Sequence, residues 1–382
     1  MQGTGTKQTH PASYRLIRKW NMTKTIQNNS SPILHARRAF TLVELLVVIT
    51  IIGILAALIT VAAVGALKTM RKTEIRTEIT QLDGGVAEYK NKTTAYPPNC
   101  QTDGNGVVGG GPIDENTVLT DLKRHMKQAF PRHQESDSLL QALVGMKPTD
   151  STNYSTFLNG GMSAGEAVVF WLGGFSSDPK YPISGEGGPS YKITSKGNTA
   201  NPSLDPISSR TFVFPFEPTR LMPKDSNGYF DPKDLRFIEY TDPRGQIRRI
   251  NFWQYAPRRL SQPYLYFDVS RHVAGNGNAA PYTAAFDPPA STSNTTGLNV
   301  FAFKKKSDSA SAACPIDFMS AGKFQVIHCG IDDAWGDFAN MSFKTQATPA
   351  NFLLFPSGPF VGDIADTSVN FATETTIEDA QK

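Results

Sequence analysis

The sequence predicts an α+β protein: one long N-terminal helix, its first half apolar enough to span a membrane, packed on a C-terminal domain of short helices, an antiparallel sheet and long loops. Three patterns predict it. Residues 45–67 carry no charge, and about 20 such residues span the hydrocarbon of a bilayer as a helix. Apolar residues then recur three or four apart at Ile75, Ile79, Leu82 and Val86, the period of a helix with one buried face. Beyond them, short runs of β-formers alternate with segments rich in glycine and proline, the pattern of strands joined by turns and loops.

The N-terminal run is too long for the apolar core of a secretory signal peptide, so it should stay in the mature protein. It begins beside a single acid, Glu44. A carboxylate costs several kcal/mol at the centre of a bilayer and less at its edge. If the helix starts at Phe40, Glu44 lies at most about 6 Å inside. Such an acid calls for a cationic partner. A free α-amino group on a neighbouring chain, created by a cut just before Phe40, would supply one.

The residues around that acid, Arg37-Arg38-Ala39 followed by Phe40-Thr41-Leu42-Val43-Glu44-Leu45-Leu46-Val47-Val48, resemble the class III signal of type IV pilins and type II secretion pseudopilins. The resemblance implies that a membrane prepilin peptidase cuts between Ala39 and Phe40 and methylates the new Phe40 amine. It also implies that Glu44 pairs with the amine of an adjacent subunit during filament assembly. Two positions depart from the family: Ala39 stands where glycine is usual, and no proline interrupts residues 57–60, so Gly53 and Gly65 are the points where the helix would loosen. Basic residues flank the apolar run on both sides, His35, Arg37 and Arg38 before it and Lys68, Arg71, Lys72 and Arg76 after it. Charge counting alone therefore leaves the orientation open. The resemblance places the leader in the cytoplasm and the C-terminal domain in the periplasm, with the helix in the bacterial inner membrane and in contact with its lipid.

The helix is expected to continue past the bilayer to about residue 90, roughly 75 Å in all. Lys68, Arg71, Lys72, Glu74, Arg76 and Glu78 would form its wet face, with Gly84-Gly85 as a point for a kink. The chain is accordingly read as a leader 1–39 (22–39 if translation starts at Met22), a transmembrane helix 40–67, its periplasmic continuation 68–92, and a globular pseudopilin-like domain 93–382. Within that domain, short helices are expected at 118–130 and 138–144, a long surface loop at 175–209, and β structure at 211–216. A hairpin is expected from 235–241 and 246–255 around Asp242-Pro243-Arg244-Gly245. Further strands are expected at 264–268 and 324–328, with a second long loop at 275–296.

Composition narrows the function. Hydrophobic residues are 39% and charged residues 19%, a globular rather than a disordered balance. The net charge is +4 with no nucleic-acid module pattern, so no nucleic-acid partner is expected. Cys100, Cys314 and Cys329 form no CxxC pair, which speaks against a zinc ribbon or a thioredoxin motif. Cys314 and Cys329 are the nearest pair. An exported domain would hold them as a disulfide, and buried free thiols are the equal alternative. Gly161-Met162-Ser163-Ala164-Gly165 matches the G-x-S-x-G of serine hydrolases. Ser163 and Glu166 also have the spacing of a helix capping box, the preceding segment is a poor strand, and neither His272 nor His328 is singled out by spacing. No catalytic residue is assigned.

The C-terminal stretches 324–339 and 362–375 resemble the corresponding part of major pseudopilins, in whose calcium-binding members an Asp-rich loop holds the ion. The resemblance makes Asp332, Asp333, Asp337, Asp363 and Asp366 candidate ligands for calcium (Ca2+), a cation that takes six to eight oxygens. The plain alternative is that they are turn formers and helix caps. The expected function is that of a pilin-like structural subunit in a pseudopilus or type IV pilus-like filament of a type II-like secretion system. Its partners are then prepilin peptidase, other pilin-like subunits and the inner-membrane assembly machinery. The alternatives are a surface-displayed binding module, with Phe252, Trp253, Tyr255, Tyr264 and Tyr266 as its face, or an anchored serine hydrolase.

Overall fold

The computed structural model describes residues 40–102, 115–154, 156–158, 160–194, 210, 213–222, 235–271, 282–284, 298–311, 314–336 and 354–381. The expected leader, with Met22 and Ala39, lies outside them, as do His272 and Asp337. The chain divides into two units, residues 1–60 and 61–382.

The first unit holds the start of helix α1 (Leu42–Thr93). Its leucines, valines and isoleucines are exposed, as expected of side chains that meet lipid rather than a protein core.

In the second unit α1 continues and buries the stripe read from the sequence. Ile75, Ile79, Leu82, Val86 and Tyr89 are all at most 2% exposed. The helix runs on through Gly84-Gly85, where buried Gly85 packs against Leu172 and Phe214. Helices α2 (Glu115–Ala129) and α3 (Asp137–Leu143) follow, close to the expected spans. Helix α4 (Ala164–Leu172) is buried on every side, as its all-round apolar sequence dictates. Its Trp171 indole donates to Pro98 O at 2.8 Å.

The strands are β1 (Ser190–Lys192), β2 (Leu221–Met222), β3 (Arg236–Thr241), β4 (Ile247–Phe252), β5 (Gln254–Tyr255), β6 (Leu265–Asp268), β7 (Tyr282–Ala284), β8 (Leu298–Val300), β9 (Lys304–Ser311), β10 (Cys314–Phe318), β11 (Phe324–His328) and β12 (Ser368–Val369). The short helix α5 (Ile377–Ala380) ends the order. The pairings are antiparallel: β1-β4-β3, β2-β5, β12-β11-β6, β9-β10 and β7-β8. The β3-β4 hairpin forms where expected. Asp242 Oδ1 accepts from the amides of Arg244 and Gln246, both at 2.9 Å, and Gly245 takes φ +74°, a conformation costly for a side chain bearing a Cβ.

Strands β6 and β11 separate two cores. Tyr264, Tyr266, Phe324 and Val326 join the core built on α1 to α4, whereas Leu265, Phe267 and Ile327 join a second core with Phe303, Phe318, Trp335 and Phe360. Burial on both faces explains why these strands read as unbroken apolar runs rather than alternating ones. Within β11 the polar Gln325 is fully buried and satisfied: it accepts from Phe303 N and donates to Phe303 O and Met319 O, each at 2.8 Å.

Four expectations need correction. The segment 175–209 is not simply a surface loop, because within its described part Ile183 and Tyr191 are buried and β1 joins a sheet. Residues 213–216 form no strand; Phe214 and Phe216 instead pack edge-on against Tyr255 and at a tilt against each other. The loop expected at 275–296 carries β7. The wet face of α1 is only partly wet, since Lys72, Arg76 and Glu78 are half-buried.

Candidate functional site

The candidate site begins at the first described residues. Thr41 and Glu44 are three apart, so one turn of helix brings them together. The Thr41 amide and hydroxyl donate to Glu44 Oε2 at 2.9 and 2.8 Å, and the Glu44 amide donates to Thr41 Oγ1 at 3.2 Å. This reciprocal box starts α1 and holds the carboxylate beside the backbone that follows Phe40. Glu44 Oε1 has no partner among the described residues. Phe40 is 81% exposed, and α1 is long and apolar enough to cross a membrane. The long apolar helix supports membrane anchoring.

Sequence reasoning missed how α1 grips the rest of the second unit. Arg220 makes a two-pronged ion pair with Glu78, at 2.6 and 2.5 Å, while the Tyr264 hydroxyl also donates to Glu78. The Arg220 guanidinium lies 4.3 Å over the Tyr255 ring and donates to Ala256 O at 2.9 Å. Arg76 donates to the carbonyls of Val369 and Ala372. Lys72 Nζ meets Asp366 Oδ1 at 2.8 Å. One local signal pointed this way: Lys72 and Arg76 precede Ile75 and Ile79 by three residues, and Glu78 precedes Leu82 by four. All three charges therefore flank the apolar stripe.

The C-terminal acids are brought together only in part. Asp333, at φ +60°, accepts from Ser261 N at 3.0 and 2.8 Å and from Gln262 N at 2.8 Å. Asp366 Oδ2 accepts from Ile331 N at 2.7 Å, and its Oδ1 faces Lys72. Asp332 Oδ1 accepts from Ala334 N at 3.2 Å. Burial raises the Asp332 pKa, and the nearby Asp366 and Asp363 add to the rise. Asp363 stands exposed in the first turn of the 3-10 segment Gly362–Asp366. Amides and an ammonium thus hold the carboxylates of Asp333 and Asp366. Among the described acids, Asp332 and Asp363 remain, fewer anionic oxygens than a cation requiring six to eight ligands favours. In this arrangement Asp333 and Asp366 spend their oxygens on amides and an ammonium rather than leaving them open to a cation.

His328, Cys329 and Asp333 bring ligand atoms within 4.8 Å of one another, a grouping the sequence did not suggest. Both nitrogens of His328 are engaged: Nδ1 accepts from Gly330 N, and Nε2 lies beside Gln262 O, each at 3.0 Å. That pattern fixes a neutral ring protonated at Nε2, and burial lowers its pKa to about 4. The sequence leaves Cys314 and Cys329 equally a disulfide or free thiols. Cys329 is a buried free thiol whose pKa burial raises. The two cysteines belong to different sheets, Cys314 at the start of β10 and Cys329 just after β11, and the Cys314 side chain lies outside the described residues.

Two alternative sites dissolve into structure. Ser163 caps α4: its hydroxyl oxygen accepts from Glu166 N at 3.4 Å, while Glu166 accepts from Ser163 N at 2.9 Å. Arg236 pairs with the same buried Glu166 at 2.9 Å. The aromatic face proposed for ligand binding is interior, with Phe252, Trp253, Tyr255, Tyr264 and Tyr266 all buried.

No curated protein and no solved structure matches the chain. Residues 34–60 match the model of the prokaryotic N-terminal methylation motif, whose pilin-like bearers are structural rather than enzymatic. Together with the long apolar helix that follows, this match fits a type IV pilin-like class III signal and supports a pilin-like precursor that prepilin peptidase processes.

Proposed function

We propose that the chain is a structural subunit of a pseudopilus or type IV pilus-like filament that serves type II-like protein secretion. In this reading prepilin peptidase cuts between Ala39 and Phe40 and methylates Phe40. The leader faces the cytoplasm and the C-terminal domain the periplasm. The inner-membrane machinery then draws the helix out of the lipid into a stack of like subunits. Glu44 receives the terminal ammonium of a neighbour, exchanging a lone charge at the bilayer edge for an ion pair. Gly53, Ala56, Ala57, Ala62, Ala63 and Gly65 permit close helix approach; a Cβ at Gly53 or Gly65 would meet nothing within 4 Å in the subunit itself.

The observation that carries the reading is the position of Glu44. It is the one acid at the head of an exposed apolar helix, held beside the residue that the cut would make the second of the mature chain. The test is Glu44→Val in the native host. The variant should insert in the membrane as the parent does and fail to enter filaments, read by shearing and by subunit cross-linking. Normal incorporation would overturn the reading.

A further inference from the structure

The acidic turn near the C-terminus already contains a cation, and the protein's own helix supplies it. Asp366 lies against Gly330, where the backbone adopts φ +111° and a Cβ would come within 2.4 Å of Asp366 Oδ2. That close approach lets Oδ2 accept from Ile331 N, so one carboxylate ties the 3-10 segment Gly362–Asp366 to the turn after β11. Its other oxygen meets Lys72 Nζ at 2.8 Å, with the two side chains only 30% and 16% exposed. The hydrogen bond to Asp366 raises the Lys72 pKa, and Asp379 and Glu378 favour its charge as well. One turn further along α1, Arg76 donates to Val369 O and Ala372 O. Two cations spaced i, i+4 on one helix therefore hold the segment 366–372.

We propose that the Lys72 ammonium takes the place at Asp366 that the C-terminal resemblance assigns to calcium, so that this segment closes on α1 without a metal ion. An ammonium in contact with Asp366, with Glu378 and Asp379 near it and Asp332 near Asp366, offsets the same repulsion that a divalent cation would. A covalently attached cation does so at any calcium concentration. The inference concerns the stability of the second unit and does not rest on the filament reading.

Thermal unfolding of the full chain in detergent, followed by circular dichroism, tests it. The parent protein should keep the same Tm, within about 1 °C, in excess EDTA and in millimolar calcium chloride. Lys72→Met should lower Tm by about 2–4 °C in both media, and Lys72→Arg should restore most of the loss. Calorimetric titration of the parent with calcium chloride, which needs no variant to fold, should show no saturable binding below millimolar concentration. A parent Tm that falls by several degrees in EDTA, saturable submillimolar calcium binding, or a Lys72→Met variant as stable as the parent would each overturn the proposal.

Discussion

Ser163 and His328 show how differently single residues declare themselves. The role of Ser163 was legible because a capping box is written within four consecutive residues, and the structure fills it as the spacing demands. Ser163→Ala should therefore cost about 1 kcal/mol of stability, measured by chemical unfolding. The role of His328 was not legible, because its partner Gln262 is brought to it by the pairing of β11 with β6. Burial holds its pKa near 4 in the fold, against about 6.5 in the unfolded chain. Between those values the unfolded state binds the extra proton, so its contribution is intact above about pH 6.5 and is lost as pH falls toward 4. Relative to His328→Asn, the parent should lose roughly 2–3 kcal/mol over that interval. Parallel unfolding profiles would show that the ring does not titrate as its burial implies.

At the level of elements, what could be read ahead was whatever carries its own period. The apolar stripe of α1, the β3-β4 turn and the doubly buried β11 all declare themselves locally. By contrast, β9 with β10 stayed hidden. Their sequence, 304–318, begins with three lysines and several serines, and strands of that composition follow from pairing rather than propensity. β1 was hidden for the same reason, as a three-residue edge inside a stretch rich in glycine and proline. The hold of α1 on its surroundings was half visible: the stripe could be read, its ion pairs could not, because Arg220 lies 142 residues from Glu78. Ile79→Ala removes a fully buried side chain and should cost about 2–5 kcal/mol. Arg220→Met leaves the half-buried Glu78 with the Tyr264 hydroxyl but without its cation, which should cost about 3 kcal/mol, whereas the double change Arg220→Met with Glu78→Gln should recover part of that loss. A double variant no better than the single one would mean that packing of Arg220 on Tyr255, not charge, holds the helix.

For the whole molecule, the two ends of the chain carry different burdens. The N-terminal signal was legible because it joins rare features in fixed order: basic residues, a small residue, Phe40, then Glu44 inside an apolar run. The C-terminal turn was legible in composition but not in use, since Asp333 and Asp366 serve backbone amides and a lysine from α1. In the proposed reading, Glu44 acquires a cationic partner only after proteolysis frees the Phe40 amine of a neighbouring subunit. Mass spectrometry of the protein's N-terminus, isolated from its native host, tests that directly. The account predicts a mature chain beginning with N-methylated Phe40. Copies that all retain residues ahead of Phe40 would contradict it, leaving a tethered domain in place of a filament subunit.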